Sequence, residues 1–315
     1  MGSGLESLSL ASPNDFSHCT SKPSQIGGVM KQSRLFSPGF GLILGACAAL
    51  LLNVAVARAS DDDAVVMEEF HQTYPLNANG RIELQNINGA VHITAWERNE
   101  VKVDAIKRAE DQQDLKDEEI IVDAHTDSIS IETKYHQRET SWRNSHHRAA
   151  EVEYTLTVPK SARLDEIKLI NGGLDLTGVG GEVHASCING KIEARGLAGE
   201  LKLATINGPL DAELERLATS VELSSINGPL HLTLPSDAKA TIEATTVHGG
   251  IDNNFGLHTN NHRFVGHDLR GELGGGGAHI KLRNVNGTIE VHHASDGHAL
   301  SPAKDLGQQE AGDEI

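Results

Sequence analysis

Apolar and polar residues alternate on both sides of a short turn that recurs seven times along the chain. Each copy reads aliphatic residue, polar residue, glycine, and the polar residue is asparagine in every copy but one. From the second copy onward the polar residues are 18 to 21 residues apart, except for a last gap of 38, which is twice 19. They stand at Asn88, Asn171, Asn189, Asn207, Asn227, His248 and Asn286. A fixed period of this length indicates a repeat architecture.

Columns of similar residues appear when the copies are aligned on this polar residue. Apolar side chains occupy the positions three after it, four before it and, with one exception, six before it. The residues between them are mostly polar, which gives the period of two that is typical of half-buried strands. The residue directly before the asparagine is aliphatic in every copy, and we expect this column to belong to the core as well.

Asparagine followed by glycine favours a turn, because both residues tolerate positive φ. Alone, the pair suggests antiparallel hairpins. The identity of the columns favours a coil in which each turn of chain lies roughly 4.8 Å from the previous one, so that like residues stack. We therefore predict an all-β fold, a parallel β-solenoid or β-roll with rungs of 18–21 residues. The turn asparagines are then structural, and their side chains can hydrogen-bond along the stack.

The extent of the pattern predicts the organisation of the chain. The repeat domain is assigned to residues 76–293, where an irregular β region with polar insertions near 107–119 and 134–151 caps the stack. Residues 60–75 are predicted to be a linker. Residues 294–315 are polar and aperiodic, which predicts a disordered tail.

The first 59 residues have the character of a targeting segment. A basic start at Met30, an apolar run over residues 42–56 and a small-x-small boundary after it match a signal peptide, which makes residues 1–29 an upstream extension. Two alternatives stay open: the apolar segment is an uncleaved anchor, or Cys47 carries a lipid within a lipobox-like segment. The prediction is an exported protein of the periplasm or the cell surface, or one that is secreted.

Composition limits the partners. The net charge of −17 repels nucleic acid, so no nucleic-acid partner is expected. Membrane contact is expected only through the N-terminal segment or a lipid on Cys47. Past residue 59 only Cys187 remains, so the domain has no intrachain disulfide. An envelope or surface component, or a second copy of the chain, is the expected partner, and no cofactor is predicted.

A titratable residue stands four positions after the asparagine in every copy. Asp175, Glu193 and Asp211 are consecutive in this column and would stack on adjacent rungs. Three carboxylates that close favour a cation such as calcium, whereas the plainer interpretation is a solvated strand face. Asp175, Asp211 and Asp252 also fit an alternative function, a polysaccharide lyase or hydrolase on a parallel β-coil.

A locally basic segment interrupts the acidic chain at residues 136–148. Arg138, Trp142 and Arg143 are candidates for binding a glycan or another anionic polymer, because an exposed tryptophan among arginines suits such ligands. The alternative is a hairpin tip without a binding role.

No nucleophile motif, phosphate-binding loop or metal-ligand spacing is present, and the chain is predicted not to be an enzyme. The segment from Gly80 to Ile93, centred on Ile87-Asn88-Gly89, resembles the opening of the bacterial putative-adhesin domain of unknown function. The glycine-rich stretch before Val285-Asn286-Gly287 is similar to its closing part, and the resemblance covers residues 76–293. It implies an exported or envelope-associated β-solenoid, and the name of the family suggests adhesion without an established activity; we therefore expect a non-catalytic, adhesin-like envelope protein. It defines no functional residues.

Overall fold

A computed structural model describes residues 65–135, 150–261 and 266–306. The chain divides into two units, residues 1–49 and 50–315, and every described residue lies in the second. Strands dominate this part of the chain, and its single helix has five residues, which confirms the all-β prediction. No helix among the described residues has the length and apolarity needed to cross a bilayer.

Seven strands and the helix precede the closely spaced repeats. They are β1 (Val66–Pro75), β2 (Arg81–Asn88), β3 (Val91–Trp96), β4 (Glu100–Ala109), α1 (Gln112–Lys116), β5 (Glu118–Ala124), β6 (Ser128–Tyr135) and β7 (Glu151–Pro159). Every second residue of β4 is buried, which is the spatial counterpart of its alternating sequence.

The repeat region consists of short strands, two to each copy of the turn. They are β8 (Arg163–Asn171), β9 (Leu174–Thr177), β10 (Val183–Asn189), β11 (Ile192–Leu197), β12 (Leu201–Asn207), β13 (Leu210–Leu214), β14 (Ser220–Asn227) and β15 (Leu230–Leu234). The asparagine of each turn ends one strand, and the next strand begins three residues later. Consecutive strands alternate between two sheets.

The C-terminal strands depart from this order. They are β16 (Ala240–His248), β17 (Ile251–Asn253), β18 (Asn260–Asn261), β19 (His267–Leu273), β20 (Ala278–Asn286), β21 (Ile289–His293) and β22 (Ala303–Asp305). β18 and β19 occupy the gap between the last two turn copies, and β19 runs antiparallel to β16. β20 lies between β14 and β16, so the last copy of the turn stacks between two earlier ones.

Two large, mostly parallel sheets contain these strands. The ten-stranded sheet has the order β1-β4-β7-β3-β9-β11-β13-β15-β21-β17. The twelve-stranded sheet has the order β18-β19-β16-β20-β14-β12-β10-β8-β2-β6-β5, with β22 beside β19. Among the strands that the structure describes, antiparallel pairs occur only toward the ends of these orders. The inward aliphatic side chains of both sheets form one core.

The strand register places equivalent residues of successive copies side by side. Asn189 pairs with Asn171 on one side and with Asn207 on the other. Leu203, four positions before its asparagine, is fully buried, as the pattern predicts. Ile206, directly before the asparagine, is 39% exposed. The expectation that this column lies in the core is wrong. Ile206 is three residues from Leu203 on the same strand, and side chains separated by an odd number of residues point to opposite faces of a strand.

Two segments expected to be a linker and a disordered tail contain strands. β1 falls within the linker and pairs with β4 along its whole length, while β22 falls within the tail and pairs with β19. The inward face of β1 mixes Glu68 with Phe70 and Tyr74, so it lacks the aliphatic pattern of the repeats.

The insertion near 107–119 is ordered secondary structure. It holds the end of β4, the helix α1 and the start of β5. Asp111 caps the helix, since its carboxylate accepts hydrogen bonds from the backbone N–H groups of Gln113 and Asp114, both at 2.7 Å. Leu115 anchors the helix and is buried. The insertion near 134–151 lies mostly outside the described residues.

Candidate functional site

The turn asparagines form a continuous hydrogen-bonded row. Nδ2 of Asn207 donates to Oδ1 of Asn189 at 2.8 Å, and Nδ2 of Asn189 donates to Oδ1 of Asn171 at 2.9 Å. The same bond, at 2.9 Å, joins Asn171 to Asn88, Asn227 to Asn207, and Asn286 to Asn227. Inside the row each amide donates to the copy on one side and accepts from the copy on the other, while Asn88 at one end accepts and Asn286 at the other donates. One residue type at one register therefore satisfies most of its own hydrogen-bonding groups.

The glycine after each asparagine allows adjacent turns to approach closely. Gly208 has a φ of +146°, a region that favours glycine, and a Cβ built there would lie 2.2 Å from the carbonyl oxygen of Gly190. The N–H of Gly190 donates to the carbonyl oxygen of Asn207 at 2.9 Å, which holds the two turns together.

A second polar row, which the sequence analysis missed, lies beneath the turns. It consists of the residues two positions before the polar residue of each turn, which face inward and are polar or cysteine in every copy except the second, where the residue is Leu169. Oγ1 of Thr205 donates to the carbonyl oxygen of Gly190 at 3.3 Å, and Nδ2 of Asn284 donates to that of Gly228 at 2.9 Å. Cys187 occupies the same row, and burial raises the pKa of its thiol to about 11. The signal was available, because polar residues recur at an inward-facing offset.

The residues directly before the turn asparagines form an exposed apolar row, which we call the aliphatic ladder. Its members are 36–43% exposed and lie on adjacent strands of the twelve-stranded sheet. In spatial order they are Ile87, Ile170, Ile188, Ile206, Ile226, Val285 and Val247. At a strand spacing of roughly 4.8 Å the ladder extends about 29 Å. Contiguous exposed apolar side chains mark interaction sites more often than single ones do.

The titratable column lies on the outer face of the ten-stranded sheet. The register places Glu193 between Asp175 and Asp211, as the sequence predicts. Basic groups accompany each carboxylate. Asp175 lies 2.7 Å from Nδ1 of His92, and Asp211 lies 2.7 Å from Nδ1 of His231.

Lys191 and Arg195 complete this pairing. Nζ of Lys191 contacts Glu193 and lies 3.3 Å from Asp211, while Nη1 of Arg195 lies 2.8 Å from Glu193. Lys191 and Arg195 therefore supply cations to Glu193 and Asp211, and a histidine ring lies against Asp175, which weakens the argument for a bound calcium ion. In the sequence, this pairing is visible from the basic residues two positions before and after Glu193, and not from the titratable column alone.

The three aspartates of the glycan-active alternative are not brought together. Asp175 and Asp211 are two strands apart, and Asp252 is three strands beyond Asp211, with His231 and Glu290 between them. The geometry gives no compact pair of acidic groups from this set.

Among the described residues, one group places three potential metal-binding atoms within 4.8 Å of one another: Asp237, Asp296 and His298. All three are exposed. Oδ2 of Asp296 accepts from the backbone N–H of Ser236 at 2.9 Å, and Oδ1 accepts from that of His298 at 3.1 Å. These bonds hold the pKa of the Asp296 carboxyl well below its usual range. Its role here is to join two loops.

Buried charges occur near the N-terminal helix. Nζ of Lys107 lies 3.1 Å from the carboxylate of Glu68 and donates to the backbone carbonyl of Glu118 at 3.1 Å. The side chain of Glu118 is buried, and neither oxygen accepts a hydrogen bond of normal geometry from the described residues. Burial raises the pKa of Glu118 to about 7, although the nearby Tyr135 hydroxyl and Lys107 ammonium reduce that rise.

The basic-loop candidates Arg138, Trp142 and Arg143 lie outside the described residues. Their assignment as a binding segment stays a prediction.

Comparison with known proteins finds similarity to solved structures but none to known sequences. No protein-family model and no curated protein matches its sequence. A proposed cell adhesion protein from Clostridium sporogenes is similar at a TM-score of 0.43 and 11% identity, over 72% of this chain and 100% of that chain. A proposed adhesin from Bacteroides fragilis is similar at a TM-score of 0.31 and 12% identity, over 72% and 97%. Likeness at this level assigns no function, so the functional argument rests on the surfaces described above.

Proposed function

We propose that this protein is a non-catalytic, adhesin-like scaffold of the cell envelope or cell surface. In this proposal the paired sheets are a β-solenoid with rungs of 18–21 residues, and its stacked faces bind a partner. The aliphatic ladder is the observation that carries the proposal. The strand register is set by the two buried aliphatic columns on the inner face, and it leaves all seven ladder side chains at the surface as one contiguous apolar row.

Repetition suits this role. Each rung adds one more copy of the same exposed side chain at a fixed spacing, so the contact area grows with the number of rungs. The row of asparagines beside the ladder adds hydrogen-bonding groups that are already ordered by their neighbours. An extended, rigid surface of this kind binds large partners, because little conformational entropy is lost on binding.

The binding role is tested with a ladder variant, Ile188→Asp/Ile206→Asp/Ile226→Asp. The matched control places the same three charges on the outer face of the ten-stranded sheet, Thr94→Asp/Thr177→Asp/Thr233→Asp. Retention of purified protein on envelope preparations from the producing cells is measured for both. We expect the ladder variant to lose at least tenfold in retention while the control binds like the parent. Equal retention of the two variants contradicts a binding role for the ladder.

Export is the other part of the proposal. The N-terminal segment supports it through the signal-peptide pattern that begins at Met30. Intact mass of the protein recovered from the envelope identifies the mature N-terminus. Cleavage after Ala57 or Ala59 is the expected result. Full-length protein found only in the cytoplasm contradicts export.

A further inference from the structure

We infer that the aliphatic ladder is a site of self-association and that its occupant is a second copy of this chain. The inference rests on the proposed function, since it names the partner of the same surface. It depends on a groove beside the ladder, on the strand spacing, on the placement of charge and on the size of the surface.

A row of small residues lies next to the ladder. The residues two positions before each ladder residue share its face, and on β10, β12 and β14 they are Ser186, Ala204 and Ser224. A shallow groove of about 300 Å³ lies along this row and is lined in part by Ser186 and Ala204. The sheet therefore carries a ridge of isoleucines with a groove beside it.

This pair of features is self-complementary. A two-fold axis parallel to the ladder, midway between ridge and groove, places the ridge of each copy in the groove of the other. Ile206 of one copy then contacts Ala204 of the second, and Ile188 contacts Ser186 in the same way. Both copies have the same strand spacing, so the fit is repeated on β10, β12 and β14, whereas on the flanking strands the ridge meets the longer side chains of Gln85, Lys168 and Arg283 and that of Thr245.

Charge placement favours the same arrangement. A mostly charged row, which includes Lys202 and Glu222, lies on the far side of the groove. Under this two-fold axis it faces the uncharged Asn-Gly turns of the other copy. A two-fold axis perpendicular to the ladder instead sets ridge against ridge and groove against groove, so the two copies lose the complementary fit.

The surface has the size of a stable interface. Four outward rows cross it: the ladder, the asparagines, the row two positions before the ladder and the mostly charged row. On seven strands they comprise about 28 residues, within the roughly 20–30 residues per side of a standard protein interface. The aliphatic ladder forms its apolar centre, and polar residues surround it, which is the usual arrangement.

Site-specific cross-linking tests the predicted contact. Full-length chains carrying Cys19→Ser and Cys47→Ser are made with either Ile206→Cys or Ala204→Cys and distinguishable tags, then mixed under mild oxidation. We expect a disulfide-linked dimer of the two variants at least tenfold in excess of that formed when Thr177→Cys replaces Ala204→Cys. Thr177 is exposed on the other sheet and serves as the control.

A second variant separates this inference from the proposed function. Ala204→Lys fills the groove without touching the core, and we expect it to raise the dimer dissociation constant at least tenfold, whereas Thr177→Lys leaves it unchanged. Equal cross-linking with the control, or an unchanged dissociation constant in Ala204→Lys, overturns self-association through the ladder. If the ladder variant still loses envelope retention in that case, the proposed function stands with a different partner.

Discussion

The repeat strands and the N-terminal strands satisfy their polar groups in different ways. From β8 to β15 the solution is repetition, in which Asn189 bonds to Asn171 and Asn207 and each does the same for its other neighbour. Near α1 the solution is specific to each group. Lys107 reaches the carboxylate of Glu68 and two backbone carbonyls, and the hydroxyl of Tyr154 lies 2.7 Å from Oγ1 of Thr133.

Because of this difference, we expect the two regions to respond differently to amino-acid substitutions. In the repeat strands a residue type is fixed by its column, and the same substitution should have similar effects in every copy. In the N-terminal strands the cost depends on a single set of neighbours, and Glu118 is buried without a hydrogen bond of normal geometry from the described residues. A buried carboxylate of this kind makes stability depend on pH, while the asparagine row does not titrate.

The largest expected effect comes from the inward columns of the repeat. Leu203→Asp places a charge in the fully buried column and should destabilise the fold by about 4 kcal/mol or more. Ile206→Asp, three residues away but on the outer face, should cost about 1 kcal/mol or less. Urea unfolding of both variants gives the comparison. Similar costs for the two contradict the assignment of inner and outer faces.

Much of the repeat region is predictable from sequence, because columns of like residues report directly on stacking. The buried positions of Leu203 and Leu210 and the stacking of the turn asparagines follow from fixed offsets. The orientation of Ile206 does not follow from column identity, since an exposed column of like aliphatic residues looks the same in the sequence as a core column. The two kinds of column can be told apart by their separation in residue number along a strand, because an even separation places them on the same face and an odd separation on opposite faces.

The N-terminal region and the C-terminal strand order were not predictable in this way. No column links Lys107 with Glu118, because their proximity depends on how β4, α1 and β5 pack. Likewise, nothing in the repeat spacing indicates that β20 inserts between β14 and β16. Those arrangements come from tertiary contacts that leave no periodic trace in the sequence.

A glycine substitution tests the closeness of the stacked turns. Gly208→Ala places a Cβ 2.2 Å from a backbone oxygen at a φ of +146°, so the turns must separate, at a cost of about 3 kcal/mol. Gly250 has no atom within 4 Å of a built Cβ, and Gly250→Ala should change stability by less than about 0.5 kcal/mol. Melting temperatures compare the two. An unaffected Gly208→Ala variant contradicts tight stacking.

In the N-terminal region the expected effect depends on pH. The folded-state pKa of Glu118, about 7, lies above its usual value of 4.5, so the folded protein binds more protons than the unfolded chain between these pH values. The contribution of Glu118 to the free energy of unfolding is therefore fully present below about pH 4.5 and is lost as the pH rises through about 7. Glu118→Gln should remove this loss and stabilise the fold by about 2 kcal/mol at pH 8, with little effect at pH 4. Urea unfolding at both pH values measures it, with exposed Glu151→Gln as the control. If the difference in stability between Glu118→Gln and the parent is the same at pH 4 and pH 8, Glu118 does not titrate in this range.

The smallest effect concerns the asparagine row itself. Asn207 makes two side-chain hydrogen bonds within the row: it donates to Asn189 and accepts from Asn227. Asn286, at one end of the row, makes one, which it donates to Asn227. Because the row is exposed, water replaces part of each lost bond, and Asn207→Ala should cost about 1 kcal/mol. Asn286→Ala should cost about half as much, since one bond is lost instead of two. Precise chemical unfolding of the two variants, with the exposed Asn77→Ala as a reference outside the row, can resolve this difference. If both variants match the reference, the bonds of the row contribute nothing to stability, and the glycine carbonyls beneath the turns hold the copies together instead.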